Sequence, residues 1–210
     1  MSTVIEALQW RYATKKFDPD AHLSRNQIGL IEEAFNLTAT SYGLQPVRLL
    51  IIADAAIKKQ LHELSMNQQQ VVDASHVLVF CIERSINKAY INTYFDAVST
   101  TRNTPDEVLQ PYRDYLADHF TNASVTDTRA WATKQAYLAM GNLLTVCALE
   151  GIDACPMEGF DPNAYDRLLK LEDKGLMSVL VMPIGKRAQD DVFASMKKVR
   201  KATDAIILHL

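Results

Sequence analysis

Residues 125–151, VTDTRAWATKQAYLAMGNLLTVCALEG, constrain the fold more than any other stretch of the chain. They carry the strongest helical signal, and their second half is apolar nearly all the way round. A helix with that surface offers little to water, so it is expected to lie buried at the centre of a packed domain. Gly151 supplies the left-handed residue at which such a helix ends.

Three further apolar runs read as strands around that helix: VRLLIIAD (47–54), SHVLVFCIE (75–83) and LMSVLVMPIG (176–185). Their near-continuous hydrophobicity is that of strands covered on both faces of a sheet. IDACPMEGF (152–160) adds a brief strand running into a turn. Helices are expected over 2–12, with Val4, Ile5, Leu8 and Tyr12 on one stripe and Ser2 or Thr3 as cap, and over 23–38, capped by Ser24. Others are expected over 55–64 and, broken near Thr104-Pro105, between about 88 and 120. Asp161 and Pro162 open a last one over 161–171. The class is α+β, one domain over residues 1–210 with a single sheet of four or five strands, no repeat and no linker. The terminal AIILHL looks like a strand with no partner in its own chain, which points to pairing with a second subunit.

The formal net charge of −3 argues against nucleic acid as a partner, since a phosphate backbone calls for a basic excess. The cations are nevertheless uneven, with Arg11, Lys15 and Lys16 near the start and Lys197, Lys198, Arg200 and Lys201 near the end. Such clusters are either solvated surface or two halves of one anion site. Cys81, Cys147 and Cys155 lie in apolar contexts without CxxC spacing, as reduced core thiols of a cytoplasmic protein would. The N-terminus has no signal-peptide core, and no apolar run approaches the ~18 residues of a membrane span.

The usual catalytic signatures are missing: no GxGxxG or Walker loop, no GxSxG elbow, no HExxH. The five histidines are scattered, and His76 reads as a structural residue, so no metal site is expected. Chemistry carried by a bound cofactor is then the expectation for an enzyme. Three stretches stand out. Arg11 and Lys15 sit at i,i+4 near a helix end, where cations are favoured anyway. Lys198 and Arg200 sit at i,i+2 in an extended tail. Glu158-Gly159 lies between a strand and a helix start, where unhindered amides can face a ligand or simply turn the chain.

Taken in order, Arg11-x-x-x-Lys15-x-Phe17, Ser41-x-x-x-Gln45-Pro46, Asn67-x-x-Gln70 with Asp73-Ala74-Ser75-His76, Glu158-Gly159-Phe160 and Lys198-x-Arg200 span the whole chain. This pattern resembles the nitroreductase family of FMN-dependent NAD(P)H oxidoreductases, in particular its oxygen-insensitive nitroreductase, major flavin reductase and dihydropteridine reductase branch. DASHVLVFC, KQAYLAMGN and EGFD are the most specific pieces.

The resemblance implies a nitroreductase-like α+β fold with a central mixed sheet. It also implies a domain-swapped homodimer whose C-terminal arm, about 188–210, extends to the partner, with FMN at the interface. Arg11, Lys198 and Arg200 would hold the FMN phosphate, with Tyr12 and Ala13 beside them. Lys15 would stand by the pyrimidine edge of the flavin, Asn67 and Gln70 near the flavin or its ribityl chain, and the Glu158-Gly159 amides near N5 and O4. Thr40, Ser41 and Gln45 would come from the partner, the TSYG loop being small so that backbone can approach the other subunit's flavin. Tyr42, Met66 and Phe120 are expected pocket walls. No side chain need act as acid or base, which leaves Lys15 and Glu158 as electrostatic and positioning candidates.

The activity implied is ping-pong, two-electron reduction of nitroaromatics, quinones or flavins with NAD(P)H as co-substrate. The alternatives are a dedicated flavin or dihydropteridine reductase, or a flavin-binding protein with little turnover. The sequence departs from some relatives at Ala13 (serine there), Gly43 (asparagine), Val47 (tryptophan) and Gln70 (lysine), and these positions bear on substrate range and flavin potential.

Overall fold

The structure, a computed structural model, describes residues 3–210. Four strands, β1 (Val47–Ile52), β2 (His76–Glu83), β3 (Asp153–Ala154) and β4 (Leu176–Gly185), form one sheet in the order β1-β2-β4-β3. Every ladder between them is antiparallel, where a mixed sheet was expected. A run buried on both faces reads the same in either direction; the connecting segments decide which way the chain returns. Among the described residues, the only parallel pairing is an isolated bridge between Ala13 and Ala154.

Among the described residues, eight helices accompany the sheet: α1 (Thr3–Trp10), α2 (Arg25–Asn36), α3 (Ala55–Leu64), α4 (Gln70–Asp73), α5 (Lys88–Arg102), α6 (Asp106–Asn122), α7 (Val125–Leu149) and α8 (Pro162–Leu168). Several begin where local chemistry says they should. The Ser24 hydroxyl accepts the Gln27 amide while the Gln27 side chain answers the Ser24 amide, a complete capping box. Asp161 caps α8, with Pro162 in its first turn. Pro105 precedes α6 and so separates it from α5. The proposed cap Ser2 lies outside the described residues.

Side-chain alternation along β2 divides the core. Leu78, Phe80 and Ile82 face α7, where Ala132, Ala136, Ala139 and Leu143 meet them. The three alanines let the helix axis come close to the sheet, and Leu143 fills the space beyond them. Val77, Val79 and Cys81 face the other way, onto Phe17, Leu61, Val71 and Tyr165. A third cluster, with Phe95, Leu116 and Phe120, holds α5 to α6. Two polar side chains of α7 tie it to the α2 side of the domain. The Asn142 amide donates to Ala34 O and Thr38 Oγ1, and Gln135 Oε1 accepts from the Ser41 amide.

Within this chain α7 is covered on one side only. Its Tyr137, Leu138 and Leu149 remain exposed, and α1 has no buried residue at all, with Val4, Ile5 and Leu8 open. The tail is likewise uncovered. After β4 it forms only the short 3₁₀ turns Val192–Ser195 and Thr203–Ala205. The terminal strand expected at AIILHL is not formed, and Ile206, Ile207 and Leu208 stand exposed. A strand forms only when paired, and within this chain the terminus pairs with neither edge of the sheet.

Candidate functional site

The two basic clusters, far apart in sequence, meet in one cleft. It has a volume of about 550 Å³ and is lined by Arg11, Tyr12, Ala13 and Lys15 on one side and by Lys197, Lys198 and Arg200 on the other. What brings them together is backbone pairing between the start and the end of the domain. Phe17 bridges Arg187, the Asp18 amide donates to Lys186 O at 2.8 Å, and the Ala188 amide donates to Lys16 O at 2.9 Å. The Arg187 guanidinium, ion-paired with buried Asp153, also lies over the rings of Trp10 and Tyr12, 4.2 and 4.6 Å from their centroids.

From that seam the tail crosses the end of α1. The Lys198 ammonium donates to Leu8 O at 3.0 Å and to Arg11 O, carbonyls at the helix C-terminus, where a cation is favoured. Lys198 and Arg11 both titrate below their ordinary values. In each case burial is the first cause; for Arg11 the charge of Arg200 follows, and for Lys198 the charges of Arg11 and Arg200. Among the described residues no carboxylate forms an ion pair with any of the three. Three cations held against one another without a counter-charge make a site for an anion. A phosphate monoester, carrying about −1.5 to −2 at neutral pH, fits that donor set.

The Glu158–Gly159 turn lies nearby, joined to the cleft through Pro156, which lines both it and a second cavity of about 480 Å³ bounded by Tyr137, Met157 and Glu158. Glu158 is not free: its Oε1 accepts from the Tyr137 hydroxyl at 2.6 Å, and that bond leads the causes that raise the phenol's pKa. Gly159 sits close under the 66–68 turn. A Cβ there would meet Gln68 Nε2 at 3.1 Å and Met66 Sδ at 3.3 Å, so a larger residue would make these two side-chain ends give way slightly. Gln68 Nε2 in turn donates to Gly159 O at 2.9 Å. Met66 and Asn67 are exposed and hold left-handed backbone, with φ of 53° and 54°, whereas Gln70 is buried at the start of α4.

The third group of sequence candidates lies elsewhere in the chain. Thr40 and Gln45 line a groove of about 590 Å³ against Tyr90 and Tyr94, away from the cationic cleft. Their polar atoms bind locally: Thr40 Oγ1 accepts the Gln45 amide, and the Gln45 side chain donates to Asn36 O. Gly43 has φ of 73°, and a Cβ on it would come within 2.5 Å of Tyr94 Oη. Within one chain, then, the small TSYG loop answers to Tyr94 in α5. Tyr42 packs edge-on to Phe120 and His119 and beside Trp131, and Phe120 is buried in the α5–α6 core.

Three contributors are not among the site residues expected from the sequence: Tyr137, Gln68 and Asp191. Their partners lie 21 or more residues away in the chain, except for the Phe193 amide that Asp191 caps, so only the fold reveals them. His76 is a partnered structural residue as expected, its Nδ1 2.9 Å from Ser75 Oγ. Burial comes first, then the charges of Lys58 and His22, in holding its pKa below 6.5. All three thiols are free and buried; burial pushes Cys81 and Cys147 up to about 12. No group of three His, Cys, Asp or Glu side chains able to hold a metal occurs among the described residues.

With this geometry in place, the comparisons with known proteins are specific. The sequence profile of the nitroreductase family matches residues 8–186. The oxygen-insensitive NAD(P)H nitroreductase of Salmonella typhimurium is 31% identical over 209 residues, covering 95% of each chain. The major NAD(P)H-flavin oxidoreductase of Aliivibrio fischeri is 30% identical over 211 residues and 97% of each chain. In fold, the chain matches a protein of Exiguobacterium sibiricum solved in complex with FMN, with a TM-score of 0.85 at 22% identity over 100% of this chain and 98% of that one. This chain belongs to the nitroreductase family.

Proposed function

We propose that the protein is an FMN-dependent NAD(P)H oxidoreductase that reduces flat aromatic acceptors such as nitroaromatics, quinones or flavins. One observation carries the reading: Arg11, Lys198 and Arg200, from opposite ends of the chain, converge with no ion-paired carboxylate among the described residues on the cleft that also presents Lys15. Relatives of nearly equal length, one a nitroreductase and one a flavin oxidoreductase, support it.

The residues divide the work by their chemistry. Arg11, Lys198 and Arg200 bind the phosphate end of FMN, and the guanidinium forks suit its oxygens. Lys15, exposed and held at its backbone, keeps a positive charge near the ring system, where negative charge develops on reduction. The Glu158–Gly159 turn, steadied by Tyr137 and Gln68, presents backbone to the ring. Bound FMN supplies the two-electron chemistry that no side chain here provides. Donor and acceptor use one open face in turn, so initial-rate plots at several acceptor concentrations are expected to be parallel.

The functional unit is a homodimer. Val4, Ile5 and Leu8 on α1, Tyr137 and Leu138 on α7, and the apolar tail from Val192 to Leu210 are open in one chain. Together they are more apolar surface than an isolated subunit normally leaves to water. Residues from about 188 onward act as the arm that crosses to the partner, and Thr40, Ser41 and Gln45 complete the partner's site. Free buried thiols agree with a cytoplasmic location, and no helix of the described chain is long and apolar enough to cross a membrane.

The test is an absorbance spectrum of the purified protein with added FMN, followed by anaerobic NADH and then a quinone. A bound-flavin spectrum that bleaches with NADH and returns with the quinone, cycling at steady state, is expected. A protein that takes up no flavin contradicts the reading. One that takes up flavin yet cycles with no acceptor reduces it to a binding protein.

A further inference from the structure

We propose that Asp191 is a positioning residue, a latch that sets the cationic cleft by fastening the root of the C-terminal arm to the segment carrying Arg11 and Lys15. The inference rests on the FMN reading above. Asp191 is buried, 6% exposed, yet its partners are amides and a phenol. Oδ2 accepts from the Tyr12 hydroxyl at 2.8 Å, the Lys15 amide at 2.9 Å and the Lys16 amide at 3.1 Å. Oδ1 accepts from the Phe193 amide at 3.1 Å and so caps the turn Val192–Ser195. The nearby Lys16 ammonium is taken by Asp190 instead.

A carboxylate removed from water is costly unless several donors meet it, and four do here. Three of the four donors belong to the 12–16 segment and one to the arm. Asp191 is thus the last tight fastening before the tail runs free to Lys198, whose ammonium reaches back to α1. The distance between Arg11 and the Lys198–Arg200 pair depends on these two anchors. The Tyr12 hydroxyl is held protonated by the same arrangement, burial first and the Asp191 bond second.

Two effects of Asp191 on a bound phosphate oppose each other. Its negative charge repels the anion, while its bonds hold the cations in place to receive it. The inference is that placement wins, and substitution separates the two. Asp191→Asn removes the charge but leaves an oxygen to accept from Tyr12, Lys15 and Lys16. Asp191→Ala removes both.

The experiment titrates FMN and riboflavin, by flavin fluorescence, into the flavin-stripped full-length wild type and the two variants, with thermal melts alongside. Riboflavin lacks the phosphate, so the FMN-to-riboflavin affinity ratio reports on the cleft rather than on the fold. For Asp191→Ala the ratio is expected to fall by about tenfold or more, with riboflavin affinity within about twofold of wild type. Asp191→Asn is expected to stay within about threefold of wild type for both ligands. If Asp191→Ala does not fold, Tyr12→Phe, which deletes one bond to Oδ2, is expected to lower the ratio by about threefold. An unchanged or higher ratio in whichever of these two variants is read overturns the latch, as does equal weakening of both ligands. A wild type that binds FMN and riboflavin alike overturns the phosphate assignment of the cleft and takes the latch with it, whereas one that binds neither overturns the flavin reading itself.

Discussion

The sheet with α7 and the two chain ends stand in opposite relations to their own molecule. Around β2 and β4, large side chains such as Phe80, Leu143 and Tyr165 are fully enclosed, and the two strands pair in an antiparallel ladder interrupted by one register shift between Phe80 and Cys81. At the ends, α1 buries nothing, the tail from Val192 onward is open, and three cations press on one another with no ion-paired carboxylate among the described residues. The first region closes its own core within a single chain, apart from the outer face of α7 that carries Tyr137 and Leu138. The second has the composition of surfaces that something else completes: apolar area suited to a second subunit, and positive charge suited to a phosphate.

Substitutions can break that contrast, most severely in the first region. Leu143→Ala removes a fully buried side chain between α7 and the sheet, and is expected to cost about 2–5 kcal/mol in urea denaturation. Gly43→Ala puts a Cβ against Tyr94 Oη at a left-handed φ, for a cost of about 1–3 kcal/mol. In a Tyr94→Phe background the 2.5 Å clash with the hydroxyl goes, leaving the backbone strain and a 3.2 Å approach to the ring Cζ, so the same substitution is expected to cost less, about 1 kcal/mol. At the chain ends, Lys198→Ala is expected to leave the melt almost unchanged while weakening FMN about tenfold in a fluorescence titration.

The pH dependence of stability has a definite sign at His76. Its folded pKa is depressed below 6.5, chiefly by burial and then by Lys58 and His22, so the native state binds fewer protons than the unfolded chain. The contribution is therefore complete above about pH 6.5 and is lost as pH falls below that value. Melting temperature is expected to decline from pH 7 to pH 5.5, and His76→Gln to flatten part of the decline. The smallest effect is expected in the tail. Leu208→Ala is predicted to change urea stability, measured at a concentration low enough to keep subunits apart, by about 0.5 kcal/mol or less.

The difference between the two regions also explains what could be read from sequence. The long helix, the buried strands and the caps at Ser24 and Asp161 are written locally, as periodicity or as adjacent residue types, and the structure has them within a few residues of expectation. Strand direction is not local, and the expected mixed sheet is antiparallel. Nor is the need for Gly43, which arises from Tyr94 in another helix. The terminal AIILHL has strand chemistry but pairs with nothing in its own chain, as the sequence suggested, and stays exposed there. In the candidate site, Arg11, Lys15, Lys198 and Arg200 stood out as paired charges, and the fold brings them to one cleft. Asp191, in an ordinary-looking RAQDD segment, gave no signal, because its bonds to Tyr12, Lys15 and Lys16 span almost the full length of the chain.

The central claim is that the unbalanced cations at the chain ends are a phosphate site for FMN. Comparing FMN with riboflavin binding to the wild-type protein tests it most directly, since the two ligands share the ring system and differ only by the phosphate. The account predicts that FMN binds at least about a hundredfold more tightly, with the advantage shrinking as salt is raised. Equal affinities at low salt would contradict it, and would leave Arg11, Lys198 and Arg200 as solvated charges at the end of a helix.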